Sequence, residues 1–211
     1  MHVDLWFPLT GRTLPSDHGY PLYAALCRVV PKLHEAEDWA LHTLRGERLA
    51  PGIISLSRSP RLGLRLPSEQ IAVVLPLMGR TLDVRGHVIV LGPPTVITLA
   101  PHAALSARIV TMKPFLEPEP FTAGVRRQLT ELDPAGGAEA QIALGARKVV
   151  TIDGRKVVGF SVRLTGLSDS SSVALQEHGI GGRRRMGCGV FRRSEHELAR
   201  DVRPRHREAA E

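Results

Sequence analysis

The sequence predicts an α+β chain of two tandem ferredoxin-like modules, RRM-like βαββαβ units placed end to end. Three observations carry that reading. Strand-like and helix-like segments follow the order strand, helix, strand, strand, helix, strand, and do so twice. The second half holds the strongest short-range hairpin signal, Asp153-Gly154 between two β-rich runs. Between the halves, "LGPPTVITLAPHA" carries adjacent prolines that stop helix and sheet alike. The expected modules are residues 1–92 and 97–193, followed by a charged tail over 194–211.

In the first module, "VDLWFPLTG" reads as a strand ended by Gly11. "YPLYAALCRVVPKL" places Leu22, Ala25, Leu26, Val29 and Val30 on one helical face, with Pro21 tolerated in the first turn. A second helical piece, "HEAEDWALHTLRG", stops at Gly46. "GIISLSRS" and "RLGLRLP" read as short strands, "SEQIAVVLPLMGRTLDV" as a helix kinked or stopped at Pro76, and "HVIVLG" as a buried strand. In the second module, "ALSARIVTMK" is a strand and "FTAGVRRQLTEL" a helix. The Asp153-Gly154 hairpin comes next, then "SDSSSVALQEHG" as a short capped helix and "CGVFRR" as the last strand.

Lys and Arg outnumber Asp and Glu by 28 to 21, the sequence pI is about 10.2, and 43% of residues are apolar. A basic chain with a real core points to nucleic acid first and to an anionic membrane surface second. Cys27 and Cys188 form neither a disulfide framework nor a zinc motif. The N-terminus lacks the pattern of a signal peptide, and no apolar run is long enough to span a bilayer, so a cytoplasmic protein is expected.

The most unusual stretch is "EHGIGGRRRMGCGVF", residues 177–191, with five glycines and three consecutive arginines. It is not a dinucleotide fingerprint, because Arg184 stands where the third glycine belongs, and it is not a P-loop. A glycine-rich loop before the last strand of a ferredoxin-like unit lets backbone amides approach phosphate while arginines supply charge. Gly179, Gly181, Gly182, Gly187 and Gly189, with Arg183, Arg184 and Arg185, are the candidate RNA contacts. A flexible surface turn with solvated arginines is the alternative.

"GIGGRRRMGCGVF" resembles the C-terminal glycine-rich loop of the CRISPR-associated endoribonucleases that cut repeat RNA, the sixth Cas family of the RAMP superfamily. "LPSDHGYPLYAALCRVV" resembles that family's first loop and helix, and "ALHTLRGERLAPGIISLS" the segment reaching its second strand. Residues 60–170 match in pattern alone. The resemblance implies metal-independent processing of pre-crRNA to mature crRNAs. A ribose 2′-OH attacks its own phosphate, leaving a 2′,3′-cyclic phosphate and a 5′-OH. That reaction needs a base, an acid and a cation on the phosphorane, and no cofactor. The nine histidines show no HxH or HExxH metal spacing.

In that family a general acid/base histidine commonly follows the first helical region, with a basic residue about two helical turns on. His42 fits, with Arg48 or Arg45 as the cation. The alternative is a helix-surface histidine near a C-terminus. His34 in the loop and His18 before the helix are the next candidates, and Tyr20 and Tyr23 offer hydroxyls to orient the 2′-OH or a phosphate. Where several relatives carry a later tyrosine, Cys27 stands here, which leaves the base partner open. Arg126, Arg127, Arg147 and Lys148 are candidates for gripping the phosphates of a stem-loop. The expected partners are CRISPR repeat RNA and other Cas subunits of an interference complex. The rival reading is a non-catalytic RAMP subunit that only binds guide RNA.

Overall fold

The computed structural model describes residues 1–193; the expected charged tail, with His196 and His206, lies outside the described residues. The chain opens with β1 (His2–Thr10), β2 (Thr13–Pro15), α1 (Gly19–Val29) and the one-turn α2 (Lys32–Glu35). Four strands follow: β3 (Ala40–His42), β4 (Gly46–Ala50), β5 (Ile53–Leu56) and β6 (Arg61–Pro67). The short α3 (Ile71–Val74) precedes β7 (Thr81–Val84), β8 (His87–Leu91) and β9 (Thr95–Thr98). The second half runs β10 (Ala104–Val110), α4 (Pro118–Leu132), β11 (Gln141–Ile152), β12 (Arg155–Thr165), α5 (Asp169–His178) and β13 (Arg192–Arg193).

Both halves reach the ferredoxin-like strand order by antiparallel pairing. In the first, β3, β6, β1 and β9 lie side by side, and the β7–β8 hairpin joins the end of β1 through Leu9 and Thr10. In the second the order is β11, β12, β10, β13. β2, β5 and β4 make a small separate sheet. Each half has its own core. One gathers Leu5, Phe7, Leu22, Leu26, Trp39, Leu41 and Leu64; the other gathers Phe121, Val125, Leu129, Phe160, Leu164 and Phe191. Among the described residues no helix is long and apolar enough to cross a membrane.

Four expectations need correction. The helix expected over 34–46 is one turn followed by β3, because Ala40, Leu41 and His42 pair with Arg65, Leu64 and Gly63 and complete the edge of the first sheet. Tertiary pairing overrides a helix-like apolar spacing there. The helix expected from Ser68 breaks into 3₁₀ and α turns around Pro76, which lacks an amide donor. The chain then forms a hairpin whose turn residues, Arg85 and Gly86, both have positive φ. The expected interval between modules contains β9, so residues 97–98 belong to the first sheet. The last strand is Arg192–Arg193 alone, and Cys188 to Phe191 approach it as irregular chain.

Candidate RNA-processing site

Strand alternation gives the first sheet two unlike faces. Leu5, Leu41 and Leu64 point into the core beneath α1. Asp4, Trp6, Ala40, His42, Gly63 and Arg65 share the other face. Gly63 is required there: a Cβ would come within 2.6 Å of Trp6 and 2.8 Å of His42. In the space it leaves, the Trp6 and His42 rings stack at 4.8 Å. His42 is 3% exposed, and its Nε2 lies 3.1 Å from Asp4 Oδ1. Burial lowers its pKa against the pull of Asp4, so the neutral ring donates from Nε2.

Arg48, the cation paired with His42 on sequence grounds, stands exposed on β4 opposite Ile54, with no hydrogen bond or ion pair to His42 among the described residues. His18 is also sealed, at 1% exposure. Its Nδ1 donates to Pro15 O at 2.8 Å and its Nε2 accepts the Leu44 amide at 3.0 Å, which fixes one neutral tautomer. Burial lowers its pKa as well.

The third histidine differs. His34, in α2, is exposed, and its Nδ1 lies 2.9 Å from the Tyr23 hydroxyl on α1. Arg185 from the glycine-rich loop sits over the Tyr23 ring at 5.7 Å and donates to His34 O at 2.9 Å and Ala36 O at 3.0 Å. An exposed imidazole with one nitrogen oriented, in a residue whose carbonyl accepts from a guanidinium, has the parts of an acid/base site acting on a phosphate. Tyr23 is itself buried, and burial, followed by its contact with Cys27, raises its pKa. Tyr20 reaches the tip of the β11–β12 hairpin instead, donating to Asp153 at 3.2 Å.

The glycine-rich loop is less open than its composition implies. The amides of Gly179, Gly181, Gly182, Gly187 and Gly189 donate to Leu175 O, Gln128 Oε1, Thr111 O, Arg184 O and Ile109 O. In this structure internal acceptors hold the amides expected to cradle phosphate. The glycines serve close packing: with φ of 66° and 69°, a Cβ on Gly179 would meet Gly189 O, and one on Gly189 would meet Ile180 O, both at 2.2 Å. Arg184 is also committed, to Glu177 O and to Asp38 at 3.6 Å. Arg183 is half-buried with its charge acting on the Cys188 thiol, and Arg185 reaches across to the first module.

Other basic candidates divide by location. Arg126 caps Gly137 and Ala138 carbonyls at 2.8 and 2.9 Å, and Arg127 pairs with Glu131 on the same helix. Arg147 is exposed on β11. Lys148 lines a cleft of about 880 Å³ between the small β2–β5–β4 sheet and the second module's sheet, shared with Ser16, Arg45, Arg108 and Arg163. Burial, then Arg108 and Arg45, lower the pKa of Lys148, as expected where cations crowd. Beside it a smaller recess is lined by His42, Arg45, Arg108 and Arg192. Sequence reasoning missed Arg108 and Arg163. Their signal was a basic residue at alternate positions of otherwise apolar strands, "LSARIV" and "FSVRLT". Among the described residues, no group of three or more His, Cys, Asp or Glu is placed to hold a metal ion.

A family model described as Cas6, Crispr, matches residues 3–196. The CRISPR-associated endonuclease Cas6 of Myxococcus xanthus strain DK1622 is 42% identical over 189 residues, covering 90% of this chain and 80% of that protein. Among solved structures, one described as the characterization of a Cas6-related gene from Pyrococcus furiosus superposes with a TM-score of 0.64 at 16% identity, over 91% of this chain and 97% of that one. Another, a CRISPR associated protein Cas6, gives 0.65 at 14% identity, over 92% and 99%. At those identities the structural likeness speaks for the fold: mixed sheets and helices in tandem ferredoxin-like modules. With the family model spanning nearly the whole described chain and a curated relative at this identity, the chain belongs to the Cas6 family.

Proposed function

We propose that this chain is an endoribonuclease that cuts CRISPR repeat RNA in pre-crRNA by general acid/base chemistry. The observation that carries the reading is the exposed His34, oriented by Tyr23 and edged by Arg185, in a member of a family whose 42% identical relative is a named endonuclease. The 2′-oxygen of one ribose attacks the adjacent phosphorus as its proton passes to a base. The P–O5′ bond breaks as O5′ takes a proton, leaving a 2′,3′-cyclic phosphate and a 5′-OH. His34 Nε2 is the proton-transfer atom. When Nδ1–H donates to the Tyr23 oxygen, Nε2 is a base; when Tyr23 donates to Nδ1, Nε2–H is an acid. Arg185 faces the charge that develops on the phosphorane.

The RNA backbone follows Arg183 and Arg185 of the loop and the basic cleft lined by Arg45, Arg108, Lys148 and Arg163. The repeat is held as a stem-loop, and the product is passed to other Cas subunits.

The test is incubation of the purified chain with repeat RNA from its genome's CRISPR array in EDTA, beside His34→Ala and beside RNA with 2′-deoxyribose at the cut nucleotide. A single cut leaving a cyclic phosphate, lost with either change, is expected. Tight binding with no cut would overturn the reading in favour of a subunit that only holds guide RNA.

A further inference from the structure

Arg65 is 1% exposed, on a central strand of the first sheet, and its guanidinium makes four hydrogen bonds. Nε and Nη2 form a fork on the Asp4 carboxylate at 2.7 and 2.9 Å. Nη1 crosses into the second half and donates to Gln176 O at 2.8 Å and Phe191 O at 2.7 Å. Those two carbonyls flank the glycine-rich loop: Gln176 lies in the last turn of α5, and Phe191 just precedes β13. Gln176 O belongs to the negative end of a helix, where a cation is favoured. Asp4 in turn holds Arg65 in place and accepts from His42.

The loop between these anchors lies on the first module at close range. A Cβ on Gly19 would meet Met186 O at 2.3 Å, and one on Gly187 would meet Thr43 Cγ2 at 2.2 Å. From this seat Arg185 reaches Tyr23 and His34.

We propose that Arg65, backed by Asp4 and His42, is a positioning residue that pins both feet of the glycine-rich loop and so sets Arg185 against His34. This rests on the endoribonuclease reading for its kinetic consequence, though not for its structural one. The guanidinium is suited to the task because one flat group serves a carboxylate with one edge and two carbonyls with the other. An ammonium has neither the reach nor the planar fork. Misplacing a catalytic cation by about 1 Å costs on the order of 10²-fold in rate.

The experiment uses the full chain and Arg65→Lys, with His42→Gln and His42→Leu as companions. Cleavage of the repeat RNA is followed in single turnover, binding is measured with the 2′-deoxy repeat, and hydrogen exchange is read at the amides of Gly182, Cys188 and Gly189. Arg65→Lys is expected to lower the cleavage rate about 10²-fold, to change the dissociation constant less than about threefold, and to speed exchange in the loop while β1 and β6 stay protected. His42→Gln, which can still donate to Asp4, retains most of the rate, and His42→Leu does not.

Parental cleavage by Arg65→Lys with unchanged loop exchange would overturn the proposal. So would a loss of protection spread evenly over both modules, which marks a fold defect. A collapse of His42→Gln with a shifted pH–rate profile would make His42 a catalytic group and also sink it. If the parental chain cuts no RNA, the endoribonuclease reading fails by itself, and the loop exchange of Arg65→Lys still decides whether Arg65 pins the loop.

Discussion

His34 and His42 stand eight residues apart in one segment and have opposite surroundings. His42 sits in a buried polar seam, stacked on Trp6 and bonded to Asp4, with Arg65 beyond it. His34 is exposed on the rim, with one ring nitrogen held by Tyr23. The chain reaches the two situations by turning a corner: Trp39 buries its ring and donates from Nε1 to Leu33 O at 3.0 Å, and the next residues enter the sheet as β3. A histidine inside a sheet between two modules can organise neighbours, and a histidine on a one-turn helix at the edge can meet a phosphate. Position in the sequence says little about which is which; depth decides.

The sharpest way to break this contrast is His34→Ala. Removing a positioned acid/base should lower the single-turnover cleavage rate by about 10²–10⁴-fold, with binding of 2′-deoxy repeat RNA kept within a few-fold. Cleavage at the parental rate would move the chemistry away from the rim. The seam answers to stability as well as to rate. Asp4→Asn leaves the buried guanidinium without its counter-charge, and breaking such a pair costs about 3–5 kcal/mol, read by urea unfolding. A loss under 1 kcal/mol would show the seam to be wetter and looser than its geometry.

The seam also has a pH signature. Burial lowers the folded-state pKa of both His42 and His18 from the ordinary value of 6.5. Below that value the unfolded chain takes up protons that the folded chain refuses, so stability is fully present above about pH 6.5 and is lost as pH falls. Each histidine adds a slope of up to about 1.4 kcal/mol per pH unit. His42→Gln removes one share and leaves that of His18. Unfolding free energies flat from pH 7 to 5 would contradict the buried neutral assignment.

Much of the fold is legible in the residues, and the reasons are local. Asp153-Gly154 takes positive φ at both positions and turns the β11–β12 hairpin, and Ser168 caps α5 by accepting the Ser171 amide. The failures lie where partners distant in sequence decide. "ALH" is a strand because β6 needs an edge neighbour, and "TVIT" becomes β9 because β1 has a free side, prolines before it notwithstanding. The candidate site was legible as a set of residues but not as an assembly. Tyr23, His34 and Arg185 each stand out in the sequence, yet Arg185 is 151 positions from His34, and no spacing rule joins them. Asp4 and Arg65 are not legible in this way, because a lone charge within an apolar strand reads as an outward-facing residue and the second module that covers it is distant in sequence.

The smallest predicted effect separates the loop's glycines by what each one does. Gly182 has open space where a Cβ would go and no positive φ, while its amide donates to Thr111 O at 3.0 Å. Alanine keeps that amide and narrows the unfolded ensemble, so Gly182→Ala should shift stability by no more than about 0.5 kcal/mol and leave binding of 2′-deoxy repeat RNA unchanged. Gly179→Ala, at φ of 66° and with Gly189 O 2.2 Å from the new Cβ, should instead disrupt the loop. If both substitutions weakened RNA binding equally without loss of stability, the loop would be meeting RNA through its backbone after all. If Gly182 alone is silent, the glycines are there to let the chain pack against itself, and the phosphate contacts belong to the arginines they carry.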